Sequence, residues 1–245
     1  MLLTKPVLTS ISNYAMLALL DMAAMMLIPL VWSTPIELGG LNLSPASIGL
    51  WLSAYGCLNG VLQFTLFPRV VGRLGPGRVV LASIIAYVVI YTMFSFENLA
   101  ARHAISAHGV GMNAAVWLFV ILQLASICIT DMGFSEYLEK KKLFRVFLTE
   151  NNFFQKKKKT DSVFMFIAAA APNKRSLGAT NGLAQTVVAI QRTVAPAAAA
   201  SLFAFSLANN VLGLGENFAY LVLLVVVGFG IVVAAQLPRY TWRKH

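Results

Sequence analysis

Charge is scarce in this chain. Asp, Glu, Lys and Arg make up 11% of its 245 residues, where ordinary soluble domains carry about 25%. Apolar residues reach 58% and the mean hydropathy is +0.75. Too little polar surface is left to cover a water-soluble core, so the class is integral membrane. Cysteine is also rare. Cys57 and Cys128 are the two present, each inside an apolar run, which excludes a disulfide framework and leaves packing as their expected role. Acids are fewer than bases, nine against nineteen. The resulting pI near 9.9 would suit a nucleic-acid binder, but the basic residues flank apolar segments in the positive-inside manner, so no nucleic-acid partner is expected. The chain holds no zincin motif, no G-x-S-x-G, no P-loop and no dinucleotide fingerprint. No enzyme activity, metal or cofactor is expected. The opening residues "MLLTKPVLTS" lack a basic n-region, an apolar h-region and a small-residue cleavage site, so no secretory leader is expected there.

What the sequence does hold is long apolar runs. A helix crossing the hydrocarbon core needs roughly 20 mainly apolar residues. Six such segments appear, at about 13–34, 46–67, 78–96, 113–135, 177–207 and 217–237. They do not alternate as barrel strands would, so an all-α membrane protein with six transmembrane helices is expected. Between them "STPIELGGLNLSPAS", "PRVVGRLGPGR" and "LANNVLGLGEN" read as loops by their Pro, Gly and Asn content. Ser44–Pro45 reads as an N-cap followed by Pro at the first helical position.

Lys5, Arg69, Arg73, Arg78, Lys174, Arg175, Arg239, Arg243 and Lys244 fall on one side of this topology, and Arg102 alone on the other. The positive-inside rule then makes both termini cytoplasmic.

Ionisable groups inside spans are costly and usually face the bundle interior or a watery cavity. Asp21, Asp131 and Arg192 are the candidates. Arg192 shares a helical face with Asn181 and Gln185, at offsets of 11 and 7 residues. Pro196 follows one turn later and frees a backbone carbonyl. This stripe suits a polar or anionic substrate, or a carboxylate on another helix; a structural ion pair is the competing reading. Asp21 could pair with Arg192 or carry a proton. It could also be a solvated residue near the cytoplasmic mouth. His103 and His108 read as exposed loop residues, and Met22, Met25 and Met26 as packing.

One stretch is foreign to the rest. "EYLEKKKLFRVFLTENNFFQKKKKTD", residues 136–161, holds seven Lys and one Arg but no Ala, Gly or Pro. It divides the chain into 1–135 with four helices, the block itself, and 162–245 with the end of the fourth helix, a cytoplasmic loop and two more helices. One reading is a cytoplasmic loop that binds anionic lipid. The other is a translated intron: Lys, Phe, Asn and Tyr come from AT-rich codons, and removal would join "WLFVILQLASICITDMGFS" to "VFMFIAAAA". Asp131 would then sit mid-helix, where a functional role is expected.

"PVLTSISNYAMLALLDMAAMMLIPLVWSTPIELGGLNLSPASIGLWLSAYGCLNGVLQ" resembles the seventh and eighth helices of fungal major facilitator superfamily transporters. "PNKRSLGATNGLAQTVVAIQRTVAPAAAASLFAFS" resembles their tenth-to-eleventh loop and eleventh helix. The subgroup is similar to the zinc-induced-facilitator and drug:proton antiporter-like members. "GRLGPGR" resembles the superfamily's signature loop, with Gly72 where that signature has Asp. The resemblance implies a twelve-helix transporter in two six-helix halves, of which this chain would be the carboxyl half. It implies a small-molecule substrate, proton coupling and alternating access. A missing amino half, or a second copy, would be the partner. By the same resemblance Asn13, Asp21, Asn59, Gln63, Asp131, Asn181, Gln185 and Arg192 line the path, and Gly72, Arg73, Gly75 and Arg78 form a gating loop. A plasma membrane is expected before a vacuolar one. The competing expectation is a non-transporting membrane fragment that acts as a regulatory or scaffolding partner through its basic block.

Overall fold

The computed structural model describes residues 4–74, 76–108, 111–134, 136–137, 160–161, 176–209 and 214–235. Helix α1 runs Lys5–Ser33, followed by a single 3-10 turn, Ile36–Leu38. Then come α2 (Pro45–Thr65), α3 (Phe67–Leu74), α4 (Pro76–His108), α5 (Ala114–Phe134), α6 (Leu177–Ala208) and α7 (Asn217–Ala235). Glu136–Tyr137 and Thr160–Asp161 form a two-residue antiparallel pair in which Glu136 faces Asp161. The two ends of the basic block are therefore neighbours, while its interior lies outside the described residues.

Five helices are long and apolar enough to cross a membrane: α1, α4, α5, α6 and α7. Helix α2 is of comparable length but is not among them; it carries Ser53, Asn59, Gln63 and three glycines. Its start is as read: the Ser44 hydroxyl accepts from the Ser47 N–H at 3.2 Å, and Pro45 opens the helix.

Four expectations need correction. The segment around "PRVVGRLGPGR" is not an open loop, because Phe67–Leu74 is helical. Gly72 and Arg73 thus sit on α3 and Arg78 in the first turn of α4; Gly75 lies outside the described residues. The third span does not end at Phe96. "FENLAARHAISAH" contains no breaker and extends α4 to His108. His103 is accordingly an exposed helical residue, not a loop residue, and His108 is the last residue of that helix. Cys57 is exposed, so packing within this chain accounts for Cys128 but not for Cys57.

Helix α1 is the central post. It runs along α6 and also touches α7, α4 and α2. Both α1 and α6 bury small residues: Ala15, Ala18, Ala23 and Ala24 on the first, Ala184, Ala195 and Ala199 on the second. Small side chains let helix backbones approach closely, which matters where lipid removes the hydrophobic drive for helix association. Helix α4 packs on α5 and α7. Tyr91 on α4 donates to the Leu20 carbonyl on α1 at 2.9 Å, and Ser83 donates to Ile129 on α5 at 3.0 Å. By contrast α2 and one side of α6 are open, with Leu50, Leu58, Val61, Ile190 and Val194 all exposed. The outer faces of α5 and α7 expose apolar residues too, Leu118 and Val225 among them; what sets the side of α2 and α6 apart is that polar residues, Asn181, Gln185 and Arg192, are exposed there as well.

Candidate functional site

The open side is where the sequence-read polar residues gather. On α2, Tyr55, Asn59 and Gln63 stand at steps of four residues and share a face. Asp131 reaches this face from the last turn of α5. Its Oδ2 accepts from the Tyr55 hydroxyl at 2.5 Å and from the Asn59 amide at 2.6 Å. The Asn59 amide also lies 3.3 Å from the Tyr55 oxygen, and Gln63 donates to Asn59 Oδ1 at 3.4 Å. Four polar side chains from two helices therefore form one connected network. All four are half-buried, so the carboxylate is reachable from the open side.

Asp21 approaches from α1. Its Oδ1 accepts from the Tyr87 hydroxyl of α4 at 3.5 Å, a long bond, and its side chain is half-buried. Asp21 lies within electrostatic range of both Asp131 and Arg192. Two carboxylates and one guanidinium, on α1, α5 and α6, thus share one neighbourhood.

Arg192, Asn181 and Gln185 are exposed on the uncovered side of α6. Pro196 lies inside this helix, so the Arg192 carbonyl has no amide hydrogen one turn on to bind it. The polar stripe read from the sequence is present, and it looks away from the dense core.

Asn13 differs from the others. It is 1% exposed and donates to Thr9 and to the Val233 carbonyl on α7, at 2.8 and 3.2 Å. It fastens α1 to α7 and does not reach the open side. On the α2–α3–α4 turn, Arg73 is exposed and Arg69 donates to the Thr65 carbonyl at 2.7 Å; Arg78 is exposed as well. These arginines form a basic edge.

Tyr55 and Tyr87 were not singled out by the sequence. A signal for Tyr55 existed, in the four-residue spacing Trp51, Tyr55, Asn59, Gln63 on one helix. Tyr87 carried no such signal, because an apolar helix with a tyrosine reads as core. Trp51 also meets Trp117 of α5, with ring centroids 4.6 Å apart. Helices α2 and α5 are thus joined twice, by an aromatic contact and by the Asp131 network. Among the described residues no group of His, Cys, Asp and Glu could hold a metal ion.

The chain is 24% identical over 219 residues to the major facilitator-type transporter psiT2 of Psilocybe cyanescens, covering 86% of this chain and 35% of that protein. It is 21% identical over 218 residues to the protein of the same name from Psilocybe cubensis, covering 86% and 36%. The chain therefore spans about a third of the length of the curated relatives it matches. No family model matches, and no solved structure matches. The sequence is similar to major facilitator-type transporters, and its apolar helices make it an integral, multi-pass membrane protein.

Proposed function

We propose that this chain is the carboxyl-terminal six-helix part of a secondary transporter, moving a small solute by proton-coupled alternating access. The observation that carries the reading is the convergence of Asp21, Asp131 and Arg192 toward the uncovered side of the bundle. Ionisable groups on a membrane-spanning bundle belong in an interior or a watery cavity. Here two are half-buried and the third is exposed on the side of α2 and α6, which fits a path completed by a second bundle. In this reading α2 crosses the membrane as the sixth span. Asp131 is the leading proton carrier, with Tyr55 and Asn59 holding its orientation. Arg192, Asn181 and Gln185 face the solute, and Asp21 balances the charge of Arg192. Both termini lie in the cytoplasm, by the basic edge of Arg69, Arg73 and Arg78.

The test is solute-driven proton movement in proteoliposomes, read with an entrapped pH dye across a panel of organic ions. The chain alone is compared with the chain co-assembled with the amino-terminal six helices of a relative. Movement by the co-assembled protein only is expected. Equal movement by the chain alone would overturn the half-transporter reading. The alternative, a non-transporting regulatory fragment, is favoured by the basic block at 136–161 and would show movement in neither sample.

A further inference from the structure

A second buried carboxyl group lies far from this site. Glu97 stands on α4 ten residues beyond Tyr87, which is roughly 15 Å along the helix axis. It is 0% exposed. Its Oε2 accepts from the indole N–H of Trp32 on α1 at 3.3 Å. Its Oε1 has no hydrogen-bond partner. Tyr220 of α7 is 2% exposed, its hydroxyl likewise has no partner, and it lies within electrostatic range of Glu97. Two unmatched polar groups, an acceptor on α4 and a hydroxyl on α7, are thus buried where these helices pack together.

The charged groups around Glu97 do not neutralise it. Trp32 on α1 offers one neutral donor. Tyr220 on α7 offers a neutral phenol. Glu216, just before α7, would add like charge. Arg102, further along α4, is turned outward: it pairs with Glu216 at 2.6 Å and donates to the Glu37 carbonyl. Asn98, the neighbour of Glu97, spends its amide on the Ile36 and Gly40 carbonyls at 2.9 Å each. Among the described residues no cation lies within ion-pair distance of Glu97. An ionised carboxylate in such a place, with one weak donor, is costly, and the general remedy is to take up a proton.

We infer that Glu97 is a proton-binding site in its own right, separate from Asp21 and Asp131, enclosed by Trp32 and Tyr220 at the end of the bundle that holds the 3-10 turn. The step is simple: the carboxylate takes one proton from solution and becomes a neutral carboxylic acid. The neutral acid then needs no cation beside it, and its Oε2 keeps the Trp32 bond. This site does not depend on the transport reading.

Infrared spectroscopy of the whole chain in lipid at neutral pH tests it. A protonated-carboxyl stretch is expected in the wild type, retained in Asp21→Asn/Asp131→Asn, and lost in Glu97→Gln. Persistence of the full band in Glu97→Gln would overturn the assignment. If that variant does not fold, Trp32→Phe serves instead. Loss of the indole bond should move the band to higher frequency, and an unmoved band would equally overturn the site. Neither readout uses transport, so failure here and failure of the transporter reading are distinguishable.

Discussion

The Tyr55 hydroxyl on α2 donates to Asp131 Oδ2 on α5 across 2.5 Å, and Asn59 donates to the same oxygen. This shared acceptor ties the most open helix to the packed bundle. Hydrogen bonds to charged groups contribute roughly 1.5–3 kcal/mol each. Tyr55→Phe and Asn59→Ala should each lower thermal stability in detergent by an amount in that range. Because both donors serve one oxygen, the double variant should depart from additivity by at least about 0.5 kcal/mol. Strictly additive losses, measured by thermal unfolding, would mean that the network does not act as a unit.

Asn98 fixes the turn between α1 and α2. Its amide serves two buried carbonyls, Ile36 and Gly40. An unsatisfied buried acceptor costs about 1–3 kcal/mol. The Ile36 carbonyl keeps the Gly39 N–H, so Asn98→Ala leaves the Gly40 carbonyl unpaired and is expected to destabilise the chain by about 1–3 kcal/mol. Amide exchange across residues 34–43 should accelerate by at least tenfold, as about 1.4 kcal/mol of lost protection implies. Unchanged exchange there would show that the turn is held by other contacts.

Two glycines make a paired prediction. A Cβ on Gly40 would meet the Thr34 carbonyl oxygen at 2.0 Å, a backbone atom that cannot swing aside. Gly40→Ala should destabilise by about 3 kcal/mol or more, the upper end for overpacking. A Cβ on Gly56 meets nothing within 4 Å. Gly56→Ala should stabilise the isolated chain by up to about 1 kcal/mol through helix propensity. Under the transporter reading this gain disappears once a second bundle covers α2. Retention of the full gain after co-assembly would argue that α2 stays uncovered.

Residues 136–161 invite a test at the level of the message. Their ends are paired, Glu136 with Asp161 and Tyr137 with Thr160, as an excursion that leaves and returns at one place. Sequencing of the mature transcript across Ser135 to Val163 should lack the block if it is a translated intron. If the codons are present, the block is an authentic loop, and binding to vesicles with anionic lipid should fall as its Lys residues are replaced.

The helices were legible because membrane spans announce themselves through long apolar runs. Five of the six segments recur as apolar helices of sufficient length, and the Ser44 cap acts as read. Two features were hidden by composition. Phe67–Leu74 looked like a loop for its Pro and Gly, yet Phe67–Pro68 opens a short helix, where proline is tolerated. Residues 97–108 looked like a loop for their charge, yet no residue there breaks α4. That misreading concealed Glu97, whose burial depends on Trp32 sixty-five residues away. The site was half legible. Asp21, Asp131 and Arg192 were visible as charges in apolar runs, and Asn59 and Gln63 as polar residues on α2. Asn13 looked the same in sequence, but it spends its amide on Val233. Only the tertiary partner separates a path residue from a fastening one.

The central claim is that Asp131 carries the coupled proton. The most direct measurement is solute-driven proton movement by the co-assembled transporter with Asp131→Asn, against wild type. Asparagine keeps the size and an acceptor oxygen for Tyr55 and Asn59, so the fold should persist. Proton movement is expected to fall at least tenfold while solute binding remains. Wild-type proton movement in Asp131→Asn would contradict the account and leave the Tyr55–Asp131 contact a structural tie between α2 and α5.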